Sequence, residues 1–388
     1  MYISRIVNVL VLFILINKVK SICEKTHVNE CEKVSDVDRF GQKTWENLVV
    51  SPHRCKKTDS HTLDEVLPPN AFSKVFNIDE LIIVEKITGI DPGAFNGLKQ
   101  LSLLRLYKNE IKIIPRNVFT NLHIYKLDLQ NNGIEYIAHE LFQGSTISII
   151  NLSHNKLNNI QVNMLNLRSL EKIIITHNEI QSMAGDCFHE NLEHLNMAHN
   201  SISQITEDVL KPLKNLKELN LSHNKFKGIS LSYGLPSLET LDLSHNQIVV
   251  IEEGSFQRFW ELKHLKLNHN YLTSISHKVF SIGNSITRIH LHYNAFMYIQ
   301  EINARLLQKL EEFTIGGNPW ACPCLQIIQF FAQANNITQP DCDLDYFSVG
   351  KSAVCVITKT TCTFDEKLNQ NDFQNFQNSL SPDLCSDL

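Results

Sequence analysis

The chain has 388 residues, 43% of them hydrophobic and 20% charged, with a formal net charge of −5. That length would ordinarily suit two or three globular domains, and the composition is that of a folded chain. The acidic balance excludes a globally basic nucleic-acid binder, and no block of like charge supplies a local basic tract, so nucleic acid is not an expected partner.

Residues 1–21 are laid out as a secretory signal peptide. Arg5 supplies a positive end, Ile6 to Ile16 form an apolar stretch broken only by Asn8, and Val19 and Ser21 are small residues ahead of a cut before Ile22. That stretch is too short to span a bilayer, which needs about 20 apolar residues. No later segment spans either, and Ser386-Asp387-Leu388 is no hydrophobic tail for a lipid anchor. The expectation is a secreted, extracellular protein with no membrane span.

The 10 cysteines fit that compartment. Cys23, Cys31 and Cys55 lie in residues 22–61, read as an N-terminal cap in which Cys31 with Cys55 is the candidate disulfide. Cys322, Cys324, Cys342, Cys355, Cys362 and Cys385 follow residue 317, and Cys187 stands alone between the two groups. It is too far from either for a disulfide, which needs Cα atoms within about 7 Å. Cys187 is either a reduced, half-buried thiol or an interchain link, the latter implying a disulfide-linked oligomer; a non-covalent oligomer is also open.

Between the groups, one pattern recurs: two hydrophobic residues around a single variable one, then two more residues, an asparagine, and a hydrophobic residue two places on. Its asparagines are Asn109, Asn132, Asn155, Asn178, Asn200, Asn224, Asn246, Asn270, Asn294 and Asn318, spaced by 22 to 24 residues. A weaker copy has Glu85 in that place, and a still weaker one centres on Thr62. The repeats thus occupy residues 62–317, about 11 or 12 copies with two degenerate at the start. The paired hydrophobics point one way from a short strand and the variable residue the other. Stacked copies make a parallel sheet whose core is covered only by neighbouring copies. The chain turns sharply after each strand, and a buried asparagine there can pair both backbone donors and acceptors, forming a ladder. Ten residues after most of them stands a large apolar residue (Phe119, Phe142, Leu165, Phe188, Leu210, Phe256, Phe280), expected to stack as a spine behind the sheet.

This pattern resembles the extracellular leucine-rich-repeat family over about Leu63 to Cys362. The run Asn318-Pro319-Trp320-Ala321-Cys322-Pro323-Cys324 is similar to the opening of the cysteine-rich C-terminal cap of Toll ectodomains, Slit-like proteins and secreted insect immune proteins. The resemblance implies a horseshoe-shaped solenoid with a parallel sheet on its concave face. It implies loops and short helical turns on the convex side, and disulfide caps at both ends, the C-terminal one spanning residues 318–362. It also implies the pairs Cys322–Cys342 and Cys324–Cys362, although Cys355 and Cys385 are additional and leave the pairing open. Residues 363–388, with the low-complexity run Asn369 to Ser379, read as a flexible tail.

In such a frame the outward strand residues are the default binding surface. Those in mid-array (Ser153, Thr176, Ala198, Ser222, Ser244) are small, while charge and aromatics gather at Arg105 and Tyr107 and at Lys266, His290, His292 and Tyr293. These six are the candidate partner-binding residues, the other reading being a merely solvated row. His154, His177, His199, His223, His245 and His269 each precede a ladder asparagine. They read as family filler, with a pH sensor or a metal site as alternatives. Glycosylation sequons stand at Asn151, Asn220 and Asn336, the first two expected to project from the sheet. No cofactor is implied, and no nucleophile elbow, phosphate loop or His-Glu-x-x-His motif points to an enzyme. The expected function is binding of a protein or glycoconjugate ligand, and the resemblance implies a role in innate immunity or signalling. An adhesion or matrix role, and an inhibitor or carrier role, are the alternatives.

Overall fold

The computed structural model describes residues 47–50, 65–73, 78–83, 87–281, 283–298 and 309–340. Two compact units divide the chain, residues 1–157 and 158–388. Both are stretches of parallel-strand β-solenoid, one strand of the main sheet per repeat. The signal segment, Cys23, Cys31, Cys55, the weak repeats' Thr62 and Glu85, Cys342, Cys355, Cys362, Cys385 and the tail lie outside the described residues, and with them at least one cysteine of each expected disulfide.

In the first unit the main sheet runs through Asn47–Val50, Glu80–Ile83, Gln100–Arg105, His123–Asp128 and Thr146–Asn151, each parallel to the next. The sheet therefore begins inside the segment expected to be a cap. In the second unit it runs through Lys172–Ile174, His194–Asn196, Glu218–Asn220, Thr240–Asp242, His264–Lys266, Arg288–His290 and Glu312–Thr314. Alternation sends Leu104 and Leu106, or Leu241 and Leu243, fully into the core, while Arg105 and Asp242 between them face the other way.

Several repeats return by a second, much shorter pairing. Ile113–Ile114 pairs with Tyr136–Ile137, Asn159–Ile160 with Ser182–Met183, and Gly228–Ile229 with Val250–Ile251. The expected helical turns are mostly replaced by these two-residue strands. The first residue of each is exposed; the second is apolar and largely buried, β-branched in five of the six, and such residues favour an extended backbone. Among the described repeats, helical return segments are confined to Glu207–Leu210 and a 3-10 turn at His277–Val279.

The large apolar residues stack behind the sheet. In the first unit Phe72, Phe95, Phe119 and Phe142 form a column with ring centroids 5.7, 5.4 and 5.9 Å apart. In the second, Leu165 bridges to Phe188 and Phe256 to Phe280. The solenoid's last edge in the second unit is closed by the helix Cys322–Ala334 and the segment after it. Thr338 donates its N–H to Glu311 O at 2.8 Å and accepts from Phe313 N at 3.2 Å, so the edge strand does not expose its donors. Trp320, fully buried, stacks on Phe296 at 5.8 Å and donates its indole N–H to Ile315 O at 2.9 Å.

The ladder asparagines sit inside the turns after the strands. Asn270 Nδ2 donates to Leu243 O, Leu267 O and Asn268 O at 3.0, 3.0 and 3.2 Å, and its Oδ1 accepts from Ile248 N at 3.0 Å. Asn109, Asn155, Asn200, Asn224, Asn246, Asn294 and Asn318 repeat that reach to the neighbouring turn and are all buried. Asn178 is buried beside Thr176 O, whereas Asn132 makes the same bonds but is only half-buried. Each turn's polar backbone is thus paired by an adjacent repeat's side chain, and an alanine would leave several groups unpaired.

Candidate ligand-binding face

The outward row of the main sheet is the natural place for a ligand, because its side chains carry no core duty. Several nonetheless carry a local one. Asp128 Oδ1 accepts from Gln130 N, Asn151 Oδ1 from Ser153 N, Asn196 Oδ1 from Ala198 N, Asn220 Oδ1 from Ser222 N and Asp242 Oδ1 from Ser244 N, at 2.9 to 3.3 Å. Each is an Asx-type turn that ends the strand, which is why asparagine and aspartate recur in that row. Asn151 is consequently tucked in rather than projecting: it is buried, and its Nδ2 donates to Gln130 Oε1 at 3.2 Å. Asn220 is half-buried, and Asn336, after the terminal helix, is exposed. Ser153, Ala198, Ser222 and Ser244 are also buried, so mid-array offers no anchor.

In the first unit one cluster stands out of this row. Arg105 and Asp128 lie directly across from each other in register, because their repeats are in phase. Arg105 Nε donates to Asp128 Oδ2 at 3.0 Å; the aspartate is 1% exposed and the arginine 31%. The guanidinium carbon stands 5.4 Å from the Tyr107 ring centroid and Lys108 Nζ 5.8 Å from the same ring. A planar cation is thereby held in one orientation beside a half-exposed aromatic ring. The sequence pointed to Arg105 and Tyr107 but missed Asp128 as their support. The signal was present: the 23-residue spacing of Asn109 and Asn132 already places Arg105 opposite Asp128.

In the second unit the four candidates separate. Lys266 is half-exposed on the face, but His290, His292 and Tyr293 are buried, contrary to the expectation that they are available to a ligand. The last repeat closes over them. His292 Nδ1 lies 2.6 Å from Thr314 Oγ1, and His290 Nε2 lies 3.5 Å from Glu312 Oε1. Burial, with Lys266 nearby, pushes the His290 pKa below its ordinary value against the pull of Glu312. Tyr293 lies flat against the His269 ring at 4.5 Å. On its other side Gly317, at φ +64°, leaves room that a Cβ would take to within 3.1 Å of the ring.

Cys187 is 1% exposed and free, and burial pushes its thiol up to about 12. The thiol expected to be half-buried is thus fully covered and held protonated in the folded chain, which disfavours an interchain link. The histidine row divides with the chain, His154 falling in the first unit and the other five in the second. Every one of the six has a left-handed φ of 52 to 55°. Histidine, asparagine and glycine tolerate that conformation better than most residues, which gives the filler reading a physical basis. Among the described residues no group of histidine, cysteine and carboxylate side chains is arranged to hold a metal ion. No helix there is long and apolar enough to cross a membrane.

Leucine rich repeat profiles match residues 168–226 and 229–271, and a BspA type leucine rich repeat region of six copies matches residues 65–194. The chain is a leucine-rich-repeat protein. No curated protein sequence matches it. Among solved structures, this leucine-rich-repeat chain is similar to Toll in the Drosophila Toll–Spatzle complex, at 18% identity and a TM-score of 0.52. That likeness covers 76% of this chain and 45% of the Toll chain, so the protein spans less than half of Toll's length. It is similar to the leucine-rich repeat domain of APL1 (18% identity, 77% of this chain and 78% of that one, TM-score 0.52). The APL1B domain gives 18% identity over 80% and 91%, with a TM-score of 0.50. At such identity the likeness is one of fold.

Proposed function

We propose that this leucine-rich-repeat protein is a secreted, non-catalytic recognition protein. It binds a protein ligand through the strand face of its first unit, in innate immunity or signalling. The observation that carries this is the Arg105–Tyr107 pair, braced by the buried Asp128 carboxylate. Arginine and tyrosine are over-represented among residues that dominate binding energy, and a pre-oriented guanidinium loses little freedom when a ligand carboxylate or carbonyl docks. Secretion is supported by the Arg5 and Ile6 to Ile16 layout. The immune assignment is supported by fold likeness to Toll, which with Spatzle forms a hub in Drosophila development and innate immunity.

The test is affinity capture from the extracellular fluid of the source, using the full chain and an Arg105→Ala/Tyr107→Ala variant side by side. A protein retained by the natural chain and lost from the variant supports the reading. A partner retained equally by both, with Lys266→Ala releasing it, would move the site to the second unit and overturn the reading.

A further inference from the structure

The second unit carries a side-chain column that ligand binding does not use. His177, His199, His223, His245 and His269, each from the next repeat, lie face to face with ring centroids 4.1, 3.9, 4.0 and 4.0 Å apart and planes within 18° of parallel. Tyr293 ends the column at 4.5 Å, and His292 meets His269 edge-on at 5.7 Å. The arrangement follows from the backbone. Each histidine has φ between 52 and 55°, and His199, His223, His245 and His269 each donate an N–H to the next repeat at 3.0 Å. Identical turns stacked at about the strand spacing of 4.8 Å leave the rings no room to diverge. His223, His245 and His269 are half-buried, while His177 and His199 are exposed.

Imidazoles so placed can act as metal ligands or take up protons. Their in-plane lone pairs run side by side in nearly parallel rings instead of converging on one point, which disfavours a shared metal ion. Protonation remains, and here it is mutually obstructive. Two imidazolium rings about 4 Å apart repel strongly because part of the water that would screen them is excluded. At His223 burial comes first and opposes the proton, and the neighbouring charges act in both directions. Asp242 attracts a proton to His223, but its carboxylate is already engaged by the Ser244 N–H and hydroxyl at 2.9 and 2.6 Å. Burial and the charges of His269 and His177 oppose that proton. Near the column's far end, Lys266 and Glu312 act on His290 with opposite signs.

We propose that this imidazole column is a proton-responsive seam: stacked as neutral rings it reinforces the second unit near neutral pH, and mild acid loosens that unit by charging adjacent rings. The sign follows from linkage. His223, stacked between His199 and His245, takes up a proton less readily folded than in an unfolded chain, because burial opposes the charge. The stability this contributes is fully present above the ordinary histidine pKa of about 6.5 and is lost as pH falls below that value. Among its described residues the first unit has no such run, so the loosening is expected within residues 158–340. A binder built this way keeps its second unit firm in near-neutral fluid and loses that firmness on acidification.

The test is thermal melting of the full chain from pH 7.5 to 5.0, against a His199→Asn/His223→Asn/His245→Asn variant. Asparagine tolerates the left-handed turn, so the backbone is preserved. The natural chain should lose roughly 5–10 °C across that range, and the variant less than half as much. Hydrogen exchange, corrected for its intrinsic pH dependence, should show protection lost at low pH at the amides of His199, His223 and His245 but not at those of Leu106 and Leu129. Equal pH slopes in the two chains, or uniform loss of protection across both units, would overturn the proposal. Should the triple variant not fold, NMR titration of His223 in the natural chain decides. A depressed, broadened transition is expected, and an ordinary midpoint with independent one-proton behaviour contradicts it.

Discussion

The residue just before each ladder asparagine has the same left-handed backbone in both units but opposite chemistry. In the first unit it is Lys108, Asn131 and His154, at φ 56, 54 and 55°; in the second it is five histidines and Tyr293, at 52 to 55°, and then Gly317 at 64°. The backbone conformation is dictated by the turn, which the asparagine ladder holds. The side chain on it is free to differ, and the two units spend that freedom differently. One places an ammonium near Tyr107 beside the exposed Arg105; the other builds a continuous stack of rings. Repetition of the fold therefore does not mean repetition of the surface.

The largest expected effect lies in what the units share. Asn270→Ala removes four hydrogen bonds at a residue 1% exposed and should cost about 3 kcal/mol or more, whereas half-buried Asn132→Ala should cost about half as much. Urea denaturation followed by circular dichroism compares them; equal losses would mean that solvent does not relieve the first unit's turn. Next comes the contrast within a single turn. Asn200→Ala should cost about 2 kcal/mol and His199→Ala less than about 1 kcal/mol at pH 7.5, since the histidine ring is exposed. A larger loss at His199 would make stacking, rather than the ladder, the main support of the second unit. The smallest effect is expected at Cys187. A thiol reagent should leave it unmodified, by peptide mapping, until denaturant is added, and Cys187→Ser should leave the oligomeric state unchanged. Rapid labelling of the native chain would show that this repeat opens readily.

The solenoid was readable in advance because its period is carried by residues with a backbone duty. Asn109 to Asn318 recur at 22 to 24 residues, and each is where a turn's carbonyls must be paired. The phenylalanine spine was readable for a similar reason, since the repeat's phase sets Phe95 and Phe119 against each other, 5.4 Å apart. Two features of the surface were not. His290, His292 and Tyr293 occupy outward positions by alternation, yet the last repeat covers them, and a one-dimensional pattern does not report what a neighbouring turn's Thr314 and Glu312 will do. The resemblance implied loops and short helical turns for the return segments. Isoleucine at Ile114, Ile137 and Ile160 tips them to two-residue strands.

The central claim is that binding rests on the braced Arg105–Tyr107 pair of the first unit. Its most direct test is a double-mutant cycle on those two residues, with affinities for the captured partner measured by calorimetry and Lys266→Ala as the control. Each single alanine should weaken binding about tenfold or more, a hot-spot-sized effect. The double variant should lose less than the two losses combined, since ring and guanidinium act as one unit. Asp128→Asn should weaken binding as well, by releasing the guanidinium. If the partner binds the double variant within about twofold of the natural chain while Lys266→Ala loses it, the first unit's strand face is not the binding site and the account is wrong.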